Sequence, residues 1–91
     1  MNRDSITIKE KDLNEYILTN FREGALVEIS YNRVFVPGII VNIYDDASMT
    51  LQLKGNLLNQ RVDVNISEVK KEIVEILYTY ENKSITIIVE D

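Results

Sequence analysis

Histidine and cysteine are absent from this sequence of 91 residues. These two side chains are among those most often used as a general base, a soft metal ligand or a thiol nucleophile. The three glycines form no phosphate-cradling loop either. We therefore expect a protein that is not an enzyme, has no cofactor and has no metal site.

Long hydrophobic runs are also missing. No apolar stretch approaches the roughly 18–20 residues that a membrane span needs, and the first residues do not have the basic and then apolar regions of a signal peptide. The absence of cysteine fits a reducing compartment. The expected location is the cytoplasm, with no membrane partner.

Basic residues are fewer than acidic ones: the chain has 10 Lys and Arg and 15 Asp and Glu, which gives a net charge of −5. At neutral pH the field of the whole molecule repels phosphate backbones, which disfavours non-specific binding to nucleic acid. A local basic patch could still act, because charges more than about 8–10 Å apart are largely screened at physiological salt.

What the chain does contain is β-branched residues. It has thirteen Ile and nine Val against two Ala, and 45% of its residues are hydrophobic. β-Branched side chains are stiff at χ1 and pack well on a pleated surface. The length predicts one domain, residues 1–91, with its own modest core. The predicted class is mainly β (α+β).

One helix is predicted at about residues 12–23. Asp12 offers an N-cap, Glu15 follows at capping-box spacing, and Gly24 can supply a left-handed residue at the end. Alternation of apolar and polar residues with period two predicts strands elsewhere. The predicted strands are residues 5–9, 25–31, 34–44, 49–53, 61–66 and 84–89.

Two segments need further interpretation. Residues 69–80 show both helical and strand spacing. We favour a turn at 67–71 followed by a strand, because residues 73, 74, 76, 78 and 80 are Ile, Val or Tyr, which are enriched in strands. In the long run 34–44, Pro37 and Gly38 predict a bend or bulge. The apolar residues expected to share one face of that run are Phe35, Ile39, Val41 and Ile43.

A helix followed by about five short, bent strands is the order of parts in SH3-like and Sm-like barrels. Residues 38–45 followed by 49–53 resemble the first Sm motif. The spacing from Gly38 to Asp45 is one residue too long, however, and Thr50 stands where that family has the Asn that reads a base. The Arg-Gly of the second motif is absent, so the family's RNA-binding residues are not transferred to this chain.

A second resemblance covers about residues 13–76. The helix, then residues 27–31, 37–45 and 64–69, are similar to the YolD-like proteins of low-GC Gram-positive bacteria and their phages and plasmids. Together the two resemblances imply a small, strongly bent SH3-like or Sm-like barrel of about five strands, with the N-terminal helix covering one open end. The YolD-like resemblance implies an accessory role.

Two regions are candidate protein contacts. Leu57 and Leu58 lie in a polar loop, where they either plug one end of the barrel or form an apolar tip that binds a partner. The last strand carries apolar residues on both faces, including Ile88, so it is either buried on both sides or an edge that meets another chain. Homodimerisation, or a higher oligomer, is therefore a hypothesis.

A basic strip is the third candidate, because basic residues with neighbouring aromatic rings bind single-stranded nucleic acid. Its members would be Lys54, Arg61, Lys70 and Lys71, with tyrosines at 78 and 80. Glutamates at 68, 72 and 75 interleave with them, so we favour a solvated face of mixed charge. Asp45 and Asp46 are interpreted as turn formers rather than as ligands of a hard cation.

These observations lead to one main hypothesis and two alternatives. The main hypothesis is a non-enzymatic binding or regulatory module that acts through protein contacts and is encoded by a phage or mobile element. The first alternative is an Sm-like RNA-binding protein with a local basic rim. The second is an acidic DNA mimic that inhibits a nucleic-acid-binding protein.

Overall fold

The computed structural model of the chain describes residues 2–31, 34–53 and 60–90, with side chains from residue 4 onward. Most of these residues lie in strands, as the abundance of Ile and Val predicts. A 3-10 turn at Glu10–Asp12 leads into the first helix. The elements are β1 (Asn2–Lys9), α1 (Leu13–Asn20), β2 (Leu26–Tyr31), β3 (Val34–Ile43), β4 (Met49–Leu53), β5 (Arg61–Val64), α2 (Ile66–Val69), β6 (Ile73–Tyr80) and β7 (Lys83–Glu90).

The seven strands form one mixed sheet in the order β1-β7-β6-β2-β3-β4-β5. β1 pairs in parallel with β7, and the other neighbours are antiparallel. The prediction of a mainly β fold with one N-terminal helix is confirmed. The predicted barrel of about five strands is not, because the sheet has seven strands and no pairing in the described ranges joins β1 to β5.

The core lies on one face of this sheet, which we call the inner face. In β2, for example, Val27 and Ile29 are buried whereas Leu26 and Glu28 are exposed, because successive side chains of a strand point to opposite faces. Each strand from β2 to β7 contributes buried residues in this way. Those of the strands are Val27, Ile29, Ile40, Met49, Leu51, Val64, Ile73, Ile76, Tyr78 and Ile87.

Helix α1 packs on the inner face with its buried residues Leu13 and Ile17. It ends at Asn20, earlier than predicted, because the next residue, Phe21, takes an extended conformation that turns its ring into the core. That ring stacks on Tyr78 with centroids 4.4 Å apart. The predicted start is confirmed, since Asp12 ends the 3-10 turn and occupies the N-cap position of α1, but its side chain makes no capping bond.

Two register shifts change which residues face inward. One lies between Ile40 and Asn42, where β3 pairs with β4. The expectation that Phe35, Ile39, Val41 and Ile43 share one face is wrong, because the extra residue exchanges the two faces: Phe35 and Ile39 are exposed, whereas Ile43 packs against the core. The predicted bulge at Pro37 and Gly38 is also misplaced, since the pairing there is continuous. The other shift lies at residues 30 and 31, where β2 pairs with β6.

The ambiguous segment from residue 67 to 80 consists of the end of α2, a turn and then β6. The prediction of a turn followed by a strand is confirmed. Strand β7 lies between β1 and β6, so of the two alternatives for this strand the one that makes it an edge meeting another chain is wrong. The sequence could not show this, because the parallel pairing of β1 with β7 joins the two ends of the chain.

Candidate functional site

An apolar stripe crosses the outer face of the sheet, the face opposite the one on which α1 packs. Its members, taken across four neighbouring strands, are Ile88, Leu77, Leu26 and Ile39. Leu26 lies directly opposite Ile39. The other two neighbouring pairs, Leu26 with Leu77 and Leu77 with Ile88, are diagonal pairs at about 7–8 Å. The residue directly opposite Leu77 in β2 is Glu28, and the residue directly opposite Ile88 in β6 is Glu75.

Three of the four members of the stripe are exposed to solvent, and the fourth, Leu77, is half-buried. Ile88 is 39% exposed, and Leu26 and Ile39 are each 36% exposed. Phe35 lies on the same face, opposite Ser30, and is 57% exposed. A single exposed apolar residue on a protein surface needs no explanation, but several on one sheet face form a patch of the kind that marks an interaction site.

The two long flanks of the stripe differ in charge. On one flank Glu28 lies beside Leu77 and Glu75 lies beside Ile88. On the other flank Thr79 and Ser84 share a hydrogen bond of 2.9 Å between their hydroxyls. Within the described parts of β2, β3, β6 and β7, the outer face carries no Lys or Arg. The surface beside the stripe is therefore acidic on one side and neutral on the other.

A short polar network stands at the β5 end of the outer face. The hydroxyl of Thr50 donates to Oδ1 of Asp63 at 2.7 Å and lies 3.0 Å from the hydroxyl of Tyr44. Thr50 is buried, whereas Tyr44 and Asp63 are exposed. The network holds the tyrosine hydroxyl beside β4.

A cleft of about 390 Å³ opens beside β3, β4 and β5. Its lining is mainly apolar, with Asp63 as its one carboxylate. It therefore has few of the convergent polar groups that orient a substrate in an active site.

Another cleft, of about 370 Å³, lies between the end of α1 and the β6–β7 turn. Its two basic residues, Arg22 and Lys83, are matched by two acidic ones, Asp4 and Glu81. Burial raises the pKa of Tyr78 in its wall above the ordinary value of 10.0, and the tyrosine hydroxyl accepts the backbone N–H of Arg22 at 2.9 Å. The phenol is thus a neutral structural group at physiological pH.

Metal-binding geometry is lacking in the described residues, which contain no cluster of three or more His, Cys, Asp or Glu side chains. Asp46 forms a turn, as its sequence context predicts: its Oδ1 accepts the N–H of Ser48 at 2.9 Å. That hydrogen bond lowers the pKa of the Asp46 carboxyl. The described helices are also too short and too polar for any of them to cross a bilayer.

Comparison with known proteins adds one finding. Residues 4–89 match the family described as "Uncharacterized protein conserved in archaea (DUF2097)". The chain belongs to the DUF2097 family. No curated protein and no solved structure gives a significant match.

The DUF2097 match corrects the proposed ancestry. The resemblance to YolD-like proteins, and with it the expected bacterial or phage origin, is wrong because the family is archaeal. The positions that carried that resemblance are mostly apolar strand residues, which unrelated sheets also place at alternate positions. The Sm-like resemblance depends on the same kind of residues and is not retained.

The structure disperses the residues proposed from the sequence of this DUF2097 chain. Ile88 lies on the outer face, in the apolar stripe. Arg61 begins β5, where its Nε donates to the side-chain oxygen of Gln52 at 3.2 Å. Lys70 and Lys71 follow α2, so the basic residues lie on different elements. Leu57, Leu58 and Lys54 lie outside the described residues.

Sequence reasoning did not place Leu26, Leu77 or Phe35 on the outer face. A signal was present for the first two, because each interrupts an alternating run: Leu26 lies between Ala25 and Val27, and Leu77 between Ile76 and Tyr78. An apolar residue at the polar position of a half-buried strand indicates a second, exposed apolar face. Phe35 had no such signal, because almost every residue around it is apolar.

Proposed function

We propose that this DUF2097 protein is a non-enzymatic binding module of the cytoplasm that receives another protein on its outer face. The observation that carries the proposal is the apolar stripe together with Phe35. Binding covers these side chains and removes their apolar surface from water, which is the main driving force of protein association. The cytoplasmic location is proposed from the absence of cysteine, which fits a reducing compartment.

The alternative of RNA binding has less support. The net charge of −5 opposes a phosphate backbone, and Glu28 and Glu75 add negative charge beside the stripe. Of the proposed basic rim, Arg61 is hydrogen-bonded to Gln52 and is separate from Lys70 and Lys71 along the fold. The DNA-mimic alternative is compatible with the acidic surface, but it does not account for the apolar stripe.

The test is an affinity capture from the lysate of an archaeon that carries this family. The bait is the full chain, its double variant Ile39→Thr/Ile88→Thr, or the control variant Val34→Thr. Val34 is 46% exposed and apolar but lies outside the stripe, at the β2–β3 hairpin end. Isoleucine, valine and threonine are all β-branched, so the control likewise replaces an exposed apolar side chain by threonine while keeping strand preference.

We expect a protein that the wild type and Val34→Thr retain and that the double variant loses, with all three baits giving the same circular dichroism spectrum. Equal retention by the double variant would overturn the outer face as the site. Loss of the captured material after nuclease treatment would favour the RNA alternative. Displacement of the partner by duplex DNA would favour the DNA mimic.

A further inference from the structure

The shape and charge of the outer face restrict what can cover it. We infer that the occupant is a basic amphipathic α-helix of about three to four turns, lying along the apolar stripe. This inference rests on the proposed function and specifies the partner of the same surface. It follows from the backbone chemistry of the face, the charge of its flank and the length of the stripe.

Backbone hydrogen bonding limits which kinds of partner can bind the outer face. β2, β3, β6 and β7 are each paired on both sides within the sheet, so their backbone N–H and C=O groups are used between strands. The outer face offers side chains only. An extended peptide would gain no backbone hydrogen bonds there and could pair only at the edges, β1 or β5. A helix satisfies its own backbone groups and can lie on such a face.

A second copy of the chain is the next occupant to consider, because a sheet can also pack face to face on another sheet. A two-fold contact places the same patch of both copies in one interface. It would therefore bring together two copies each of Glu28 and Glu75, and the described parts of β2, β3, β6 and β7 carry no Lys or Arg on this face to offset them. The described basic residues of the face lie on its edge strands: Lys9 in β1 is paired with Glu90 at 3.3 Å, and Arg61 in β5 is bonded to Gln52. Like charges in an interface disfavour the pairing.

Charge therefore selects a basic partner. Glu28 and Glu75 lie on the same flank of the stripe, the flank that faces Phe35, and both are exposed. Among the described residues neither of these carboxylates is paired with a basic side chain. Lysines or arginines along one side of a bound helix would meet these carboxylates, while the other side would lie over Thr79 and Thr86.

The length of the stripe sets the length of the helix. From Ile88 to Ile39 the stripe crosses three interstrand spacings, about 14 Å, and four residues along the strands, about 13 Å. The diagonal is therefore about 20 Å, which corresponds to about 13 helical residues at 1.5 Å each. Four apolar residues at spacings of three or four would match the four members of the stripe.

The test uses three labelled 14-residue peptides, followed by fluorescence anisotropy. The first has leucines at helical spacing and lysines along one flank. The second has glutamates in place of the lysines. The third has the composition of the first but alternates leucine and lysine, as a strand does. Each is titrated with the full chain, with Ile39→Thr/Ile88→Thr, with Glu28→Gln/Glu75→Gln and with the control Val34→Thr.

We expect the first peptide to bind best. Its affinity should fall about tenfold in the apolar double variant and at least about threefold in the Glu→Gln double variant, while Val34→Thr leaves it unchanged. Amide shifts in NMR spectra should map to β7, β6, β2 and β3. Equal binding of the alternating peptide, shifts centred on β1 or β5, or no binding of the first peptide would overturn the helix inference.

The two proposals can fail separately. If a captured protein is lost by Ile39→Thr/Ile88→Thr but no helical peptide binds, the outer face is a protein site and the helix inference is wrong. A dimer seen by sedimentation at micromolar concentration and abolished by the same double variant would make a second copy the occupant. If neither a protein nor a peptide depends on the stripe, both proposals fail.

Discussion

Replacing Gly38 with alanine tests how closely two strands of the sheet approach each other. Gly38 lies in β3, opposite Val27 on one side and Leu53 on the other. A Cβ atom added there would lie 2.8 Å from the backbone oxygen of Gln52 and 3.2 Å from Cβ of Leu51. Neither atom can swing away like the end of a flexible side chain, so β4 itself would have to shift.

Two effects of opposite sign set the magnitude. Alanine restricts the unfolded chain more than glycine does, which favours folding by about 0.4–1 kcal/mol. Inserting a methyl group into a tightly packed site costs about 1–3 kcal/mol. We expect the steric cost to be larger, because the closest atom belongs to the backbone. The net loss should be about 1–2 kcal/mol, which lowers Tm by about 5–15 °C in a domain of this size.

The assay is urea and thermal unfolding followed by circular dichroism, with Ser30→Ala as a control within the sheet. Gly24→Ala provides a second comparison, since Gly24 has φ +93° and no atom within 4 Å of the added Cβ. Its destabilisation would come from backbone strain alone. If Gly38→Ala were as stable as the wild type or more stable, the close approach of β3 and β4 would be refuted.

Three further predictions concern other contacts. Tyr78→Phe removes the acceptor of the Arg22 N–H and should lower the free energy of unfolding by about 1–2 kcal/mol at pH 8. Because burial raises the pKa of Tyr78, the stabilisation by the neutral phenol is present below pH 10 and is lost as pH rises through the folded-state pKa. In urea titrations between pH 9 and 11 the variant should therefore lose less stability than the wild type. Asn82→Gly should stabilise the β6–β7 turn by about 0.5 kcal/mol, seen as a higher Tm, because Asn82 has φ +65°; a lower Tm would contradict this. Asp46→Ala removes the acceptor of the Ser48 N–H. Since that hydrogen bond lowers the pKa of the Asp46 carboxyl, the difference in unfolding free energy from the wild type should be present at pH 7 and fade as pH falls below the ordinary value of 3.8. A difference that persists in urea titrations at pH 2 would assign the effect to another cause.

The fold was predictable wherever a strand has one buried face. In β2, β4 and β7 the alternation of apolar and polar residues identified both the strand and its inner side. It failed in β3, where residues of both parities are apolar and the register shift between Ile40 and Asn42 carries no sequence mark. Strand order was not predictable either, because the pairing of β1 with β7 depends on tertiary packing between the two ends of the chain.

The candidate site shows why surface function is harder to predict than the core. Ile88 was found because it falls at an outward position of a regular strand, but its partners Leu77, Leu26 and Ile39 come from three other strands. They become neighbours only through the register of β6 with β7 and of β2 with β6 and β3. The same register places Glu28 and Glu75 on one flank, although 47 residues separate them in sequence. Binding specificity would therefore depend on strand pairing, which cannot be predicted from any local sequence pattern. A substitution that shifts the register of β6 by one residue should abolish partner binding even if every residue of the stripe is retained, because it would turn Leu77 inward.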